Sequence, residues 1–139
     1  MLKRKKGEGY IDTVVTILIS LIIVYTTTAL FTHFISYQKM NAAAKEIVEY
    51  AANRGETSSS DINNHCVYFI EKAGLDKSKI TVSFSDSDII TGSSNGAVQY
   101  GDEVAVSLSC NYGIKIFGSS NKNYTMTAKR SALSEKYWK

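Results

Sequence analysis

From Thr13 to Gln38 the chain carries no Lys, Arg, Asp or Glu. Within that stretch the run TVVTILISLIIVYTTTALF is about 20 residues, or roughly 30 Å as an α-helix, which is enough to cross the hydrocarbon core of a bilayer. A soluble fold could hide such a helix only by surrounding it, and 139 residues cannot build an interior of that size. Proline is absent from the whole chain, so nothing interrupts a long helix. A membrane span is therefore predicted. Its charge flanks set the direction. Lys3, Arg4, Lys5 and Lys6 precede the run, whereas Lys39 and then Lys45 with Glu46 follow it. The positive-inside rule keeps the N-terminus in the cytoplasm and exports everything after about Tyr37. A cleaved secretory signal fits less well. The apolar stretch exceeds the usual ~7–15 residues, and Thr27-Thr28-Ala29 makes only a poor small-x-small cleavage site.

The formal net charge of +3 comes largely from the four cationic residues at positions 3–6. The remainder is close to neutral, which argues against a nucleic-acid-binding face. Helical character continues beyond the apolar run. In QKMNAAAKEIVEYAANRGE, Met40, Ala44, Ile47 and Ala51 recur at helical spacing and form one apolar stripe, with Gly55 placed to end the helix. One helix from about Asp12 to Arg54 is expected. Glu56 to Ser60 then reads as a polar loop, and Ser60 or Asp61 as the cap of a second helix reaching about Ala73 and closed by Gly74. Ile62, Cys66, Phe69, Ile70 and Ala73 share one face of it. Beyond this point the period changes from helical to alternating. Ile80, Val82 and Phe84, then Val104 to Tyr112, then Tyr124, Met126 and Ala128 each alternate apolar with polar, as half-buried antiparallel strands do. A shorter strand is expected at Ala97 to Tyr100, between the turn signals Ser94-Asn95-Gly96 and Gly101-Asp102. The predicted fold is α+β: a basic leader over 1–7, a transmembrane and membrane-proximal helix over 8–54, and an exported domain over 55–139 in which one further helix lies on three or four antiparallel strands.

Residues for chemistry are scarce. His33 falls at the edge of the span and His65 on the second helix, without metal-ligand spacing. There is no phosphate-binding glycine loop and no nucleophile elbow. Asp86 and Asp88 read as solvated turn carboxylates, and Asn123-Tyr124-Thr125 as a chance match to a glycosylation sequon. No enzymatic activity, metal or cofactor is expected. The two cysteines say more. Cys66 and Cys110 both point into the same core from opposite layers, either as buried thiols or as a disulfide. Export favours the bridge. Closing the 43 intervening residues would restrict the unfolded chain by on the order of 3–4 kcal/mol.

The most informative segment is KRKKGEGYIDTVVTILI, in which a basic stub ends at Gly7 and an acid, Asp12, stands five positions later at the head of the apolar helix. As a helix N-cap Asp12 would sit near the positive end of the dipole, but capping does not explain the glycine. This junction resembles the processing site of type IV prepilins and, more closely, of TadE-like pseudopilins. The stretch Gly101 to Val106 is similar to that family's penultimate strand, Gly113 to Gly118 to its apolar connecting loop, and Tyr124 to Glu135 to its closing strand. Asp12 stands where the family usually has Glu, Glu8 and Gly9 replace small uncharged or aromatic residues, and Glu56 to Tyr100 has no counterpart. The resemblance implies cleavage after Gly7 by a prepilin peptidase, a new amine at Glu8, and assembly with other pilin or pseudopilin subunits through the N-terminal helix. In such a bundle the Asp12 carboxylate would pair with a neighbour's amine. Thr13, Thr16, Ser20 and Thr27 form a hydroxyl stripe that would let helices pack closely, or else reflect the ordinary tolerance of Thr in membrane helices. The expected function is a structural subunit of a bacterial pilus or secretion apparatus, held in the cell membrane by one span. The alternative is an unprocessed membrane-anchored module that binds an extracellular ligand.

Overall fold

Helix α1 runs from Glu8 to Arg54 in a computed structural model that describes residues 8–114 and 122–139. The chain divides into two units, Met1–Ile35 and Ser36–Lys139, and α1 contributes to both. In the first unit its apolar side chains, from Tyr10 to Ile35, are exposed around the helix. By length and composition this is a helix able to cross a membrane.

The second unit holds the core. Met40, Ala44, Ile47 and Ala51 are buried, as the predicted stripe requires, and Ala43, Val48 and Ala52 widen it. Four of these seven positions are alanine, so other elements can approach the helix backbone closely. Helix α2 spans Ser60–Lys72 and buries Ile62, Cys66 and Ile70, with Phe69 and Ala73 partly covered. Its cap is Ser59, whose Oγ accepts from the Ile62 N–H at 3.3 Å. The expectation of Ser60 or Asp61 is corrected by one or two positions. Asp61 instead sits in the first turn, where its carboxylate meets the helix dipole. Both helices stop at glycines in the left-handed region, Gly55 at φ +62° and Gly74 at φ +69°.

Three strands form an antiparallel sheet in the order β1-β2-β3: β1 Ile80–Ser83, β2 Glu103–Ile114 and β3 Lys122–Leu133. Leu108 stands opposite Val82 on one side and Ala128 on the other. Val104, Val106, Leu108, Cys110, Met126 and Ala128 face the helices and are buried, and the intervening residues face outward.

The expected short strand at Ala97 to Tyr100 does not join the sheet. That segment makes two isolated bridges, Glu56 to Ala97 and Ile89 to Val98, and the Val98 N–H donates to the Gly55 carbonyl at 2.8 Å. Held between glycine turns at Gly96 and Gly101, these residues line the loop that joins the two helices. Strand β1 is also shorter than its alternation suggests. Past Ser83 the chain turns, and Ser87 replaces ladder bonds with its side chain. Its Oγ donates to the Ala105 carbonyl at 3.0 Å and accepts from the Ala105 N–H at 2.9 Å. After β3 the last residues return to the end of α1. The Glu135 N–H donates to the Ala52 carbonyl, and the Trp138 indole N–H donates to the Gly55 carbonyl at 3.1 Å. These bonds satisfy carbonyls that a helix end leaves without partners.

Candidate functional site

The junction singled out by sequence lies at the head of α1. Gly7 falls outside the described residues, and Glu8 is the first residue of α1. Asp12 is exposed and lies inside the helix, a full turn past Glu8. Its carbonyl accepts from the Thr16 hydroxyl at 2.8 Å. An N-cap residue has extended backbone and stands outside the first turn, so the capping account of Asp12 is corrected. Between Asp12 and Lys39 the helix carries no Lys, Arg, Asp or Glu.

The hydroxyl stripe is satisfied within its own helix. Thr13 donates to the Gly9 carbonyl, Thr16 to Asp12, Ser20 to Thr16 and Thr27 to Ile23, each at 2.8 Å. Thr26 and Thr28 make the same contact with residues four back. Back-bonding of this kind lets a hydroxyl face an apolar medium without an unpaired donor. Each oxygen keeps lone pairs free to accept from elsewhere. The small side chains still permit close helix approach, but their donors do not require a neighbouring helix.

Cys66 and Cys110 are both buried in the one core, as their inward faces predict, but both are free thiols. The expected bridge is absent, and the two side chains pack as small hydrophobes among Ile62, Ile70, Leu108 and Met126. Burial pushes the Cys66 thiol up from 9.0 to about 11. The sign of the pH dependence follows from this. Between the unfolded and folded values the native state holds more protons, so stability is complete below about pH 9 and declines as pH rises toward 11. Up to roughly 2–3 kcal/mol is expected to be lost in that window, and Cys66→Ala should remove the part of the slope due to this thiol. Denaturant titrations of both forms across the window check it. Native thiols should also resist a thiol reagent until the domain unfolds. Non-reducing peptide mapping that joins Cys66 to Cys110 would overturn the free-thiol assignment.

A polar cluster absent from the sequence reading joins the two helices. Arg54 Nη2 stands 2.7 Å from Asp61 Oδ2, the Tyr50 hydroxyl donates to the same oxygen at 2.9 Å, and the His65 ring lies 3.9 Å from that of Tyr50. These groups are about half exposed, so their ionic part contributes little to stability. They tie the last turns of α1 to the first turn of α2. Arg54 lies off the apolar stripe and Tyr50 packs at its edge, and nothing local shows that a second helix will meet them. Asp86 and Asp88 also do more than face solvent. Asp86 pairs with Lys129 at 3.1 Å, and the hydrogen bond from that ammonium holds its carboxyl below the ordinary carboxylate value. Asp88 accepts from the Glu103 N–H at 3.2 Å. Among the described residues, no three of His, Cys, Asp and Glu lie together as a metal centre would need.

A family model described as a domain of unknown function, DUF4320, matches residues 17–139. The chain belongs to the DUF4320 family. The matched residues of this DUF4320 chain take in most of α1 together with α2 and the whole sheet. They begin after Asp12, so the junction from Gly7 to Asp12 stands on its own residues. No curated protein and no solved structure matches the chain.

Proposed function

We propose that this DUF4320 chain is a TadE-like pilin or pseudopilin, a non-enzymatic structural subunit of a bacterial pilus or secretion apparatus. Helix α1 inserts in the cell membrane with the basic stub in the cytoplasm, and the second unit is exported. A prepilin peptidase removes residues 1–7. The observation that carries this reading is the Asp12 carboxylate, one turn inside an exposed apolar helix and five residues after Gly7. An unpaired charge costs roughly 2.5–3.5 kcal/mol at the centre of a membrane span and less toward its end, so a carboxylate inside an apolar helix bundle gains from a partner. Cleavage after Gly7 creates a cationic amine at Glu8, which the carboxylate of an adjacent subunit can neutralise. The pairing then favours one axial register among the subunits.

Co-expression with the cognate peptidase, followed by N-terminal sequencing, tests the reading. The mature chain is expected to begin at Glu8. Gly7→Val should leave the Lys3 to Lys6 stub attached, because the cut requires a small residue before it. Asp12→Ala should still be cleaved but fail to enter assemblies, since the new amine loses its partner. A wild-type chain that still begins at Met1 or Leu2 would overturn the proposal and leave the anchored binding module.

A further inference from the structure

Lys39 is the first charged residue after Asp12, and at roughly 1.5 Å of rise per residue it stands only about 6 Å along α1 from Ile35. The fold of the second unit brings further cations to this level. Ser36 and Lys39 line a cavity of about 160 Å³ together with Gly74, Asp76, Lys79 and Tyr112. The Lys39 ammonium lies against the turn that ends α2, 3.5 Å from where a Cβ on Gly74 would stand. Next to it, Lys77 pairs with Glu71 at 2.9 Å and Lys79 with Asp76 at 3.7 Å. Both of those lysines have a carboxylate partner, whereas among the described residues Lys39 has none within ion-pair distance. Tyrosines mark the same end of the unit. Tyr112 lines the cavity and stands opposite Tyr124 across β2 and β3, while Tyr124 is 51% and Tyr37 42% exposed. Exposed tyrosine beside lysine, directly after an apolar run, is the composition that settles at a bilayer's headgroup level.

We infer that this end of the second unit is a lipid-facing surface, with Lys39 and Lys79 binding the phosphates of anionic headgroups in the leaflet from which α1 emerges. The inference rests on the membrane reading of α1 given above. The apolar run ends just before Ser36, so a bilayer entered by α1 has its headgroups beside this cavity. That continuity selects a lipid phosphate over a free one. Headgroup contact holds the 74–80 loop against the membrane and limits the angles at which the exported unit can tilt.

Hydrogen exchange on the full chain in lipid nanodiscs tests this. Amides of 74–80 are expected to exchange more slowly in discs containing phosphatidylglycerol than in discs of phosphatidylcholine alone. The expected factor is roughly fivefold for each lysine engaged, as about 1 kcal/mol per lysine near a charged surface implies. High salt should reduce the difference. The double variant K39Q/K79Q should abolish it while leaving exchange within α2 unchanged, which shows that the fold is intact. Amides of 13–35 report insertion separately. Protection there with no lipid dependence at 74–80 overturns this inference alone, and no protection there overturns the membrane reading as well. Equal slowing by inorganic phosphate in phosphatidylcholine discs would assign the site to the free anion and overturn the lipid assignment.

Discussion

Leu108→Ala is expected to destabilise the second unit by about 2–5 kcal/mol, a large part of the ~5–15 kcal/mol that a domain of this size possesses. Leu108 is 0% exposed and sits mid-strand on β2, between Val82 and Ala128, so truncation leaves a cavity bounded by the helices and two neighbouring strands. Pleated strands cannot close such a gap without shifting their ladders. Thr127→Ala, on the outward face of β3 next to Ala128, should cost less than about 1 kcal/mol. Denaturant midpoints of the full chain in detergent, followed by circular dichroism, make the comparison. Because a slip of one residue exchanges the faces of a strand, similar losses for the two variants would overturn the assigned register.

Gly96→Ala is expected to cost about 3–5 kcal/mol, against about 1–2 kcal/mol for Gly92→Ala. Both glycines have positive φ, +61° and +87°, so both variants carry the strain of a side chain in the left-handed region. Only their surroundings differ. A Cβ on Gly92 meets open space, whereas one on Gly96 runs into the Thr57 hydroxyl and stands 3.2 Å from the Ser58 Cβ. Thr57 is buried, and its hydroxyl donates to the Gly96 carbonyl at 3.0 Å. Relieving the clash therefore breaks a buried hydrogen bond and separates the loop after α1 from the turn before Val98. Thermal unfolding of the two variants side by side isolates the packing part, since the backbone strain is common to both. Equal losses would show that the loop gives way freely at Thr57.

Much of this fold was legible because local rules and tertiary packing agree. An uncharged run without proline has few options besides a helix, and Met40, Ala44, Ile47 and Ala51 repeat at the period that a buried stripe requires. The alternation through Val104 to Tyr112 and Tyr124 to Ala128 marks β2 and β3 and their buried faces. At the candidate junction, the residues Gly7 and Asp12 came from sequence. That Asp12 lies inside the helix rather than at its cap required the backbone.

Other features depend on residues that meet only after folding. Ser59, Ser60 and Asp61 are locally near-equivalent caps, and the choice of Ser59 was made when Thr57 and Ser58 bonded to the 95–96 turn. Ala97 to Tyr100 has strand chemistry, but its backbone groups went to Gly55 and Ile90, residues that only the closed fold brings beside it. The inward direction of Cys66 and Cys110 follows from periodicity, whereas a disulfide requires the two Cβ atoms to stand about 4 Å apart, which the spacing of the layers controls. Lys39 and Lys79 are 40 positions apart, and only the packing of α1, α2 and β1 brings them to one cavity. Periodicity fixes which way a side chain faces on its own element, because that is a property of one backbone. Which partner it finds there depends on distances between elements, and those distances exist only once the core has closed.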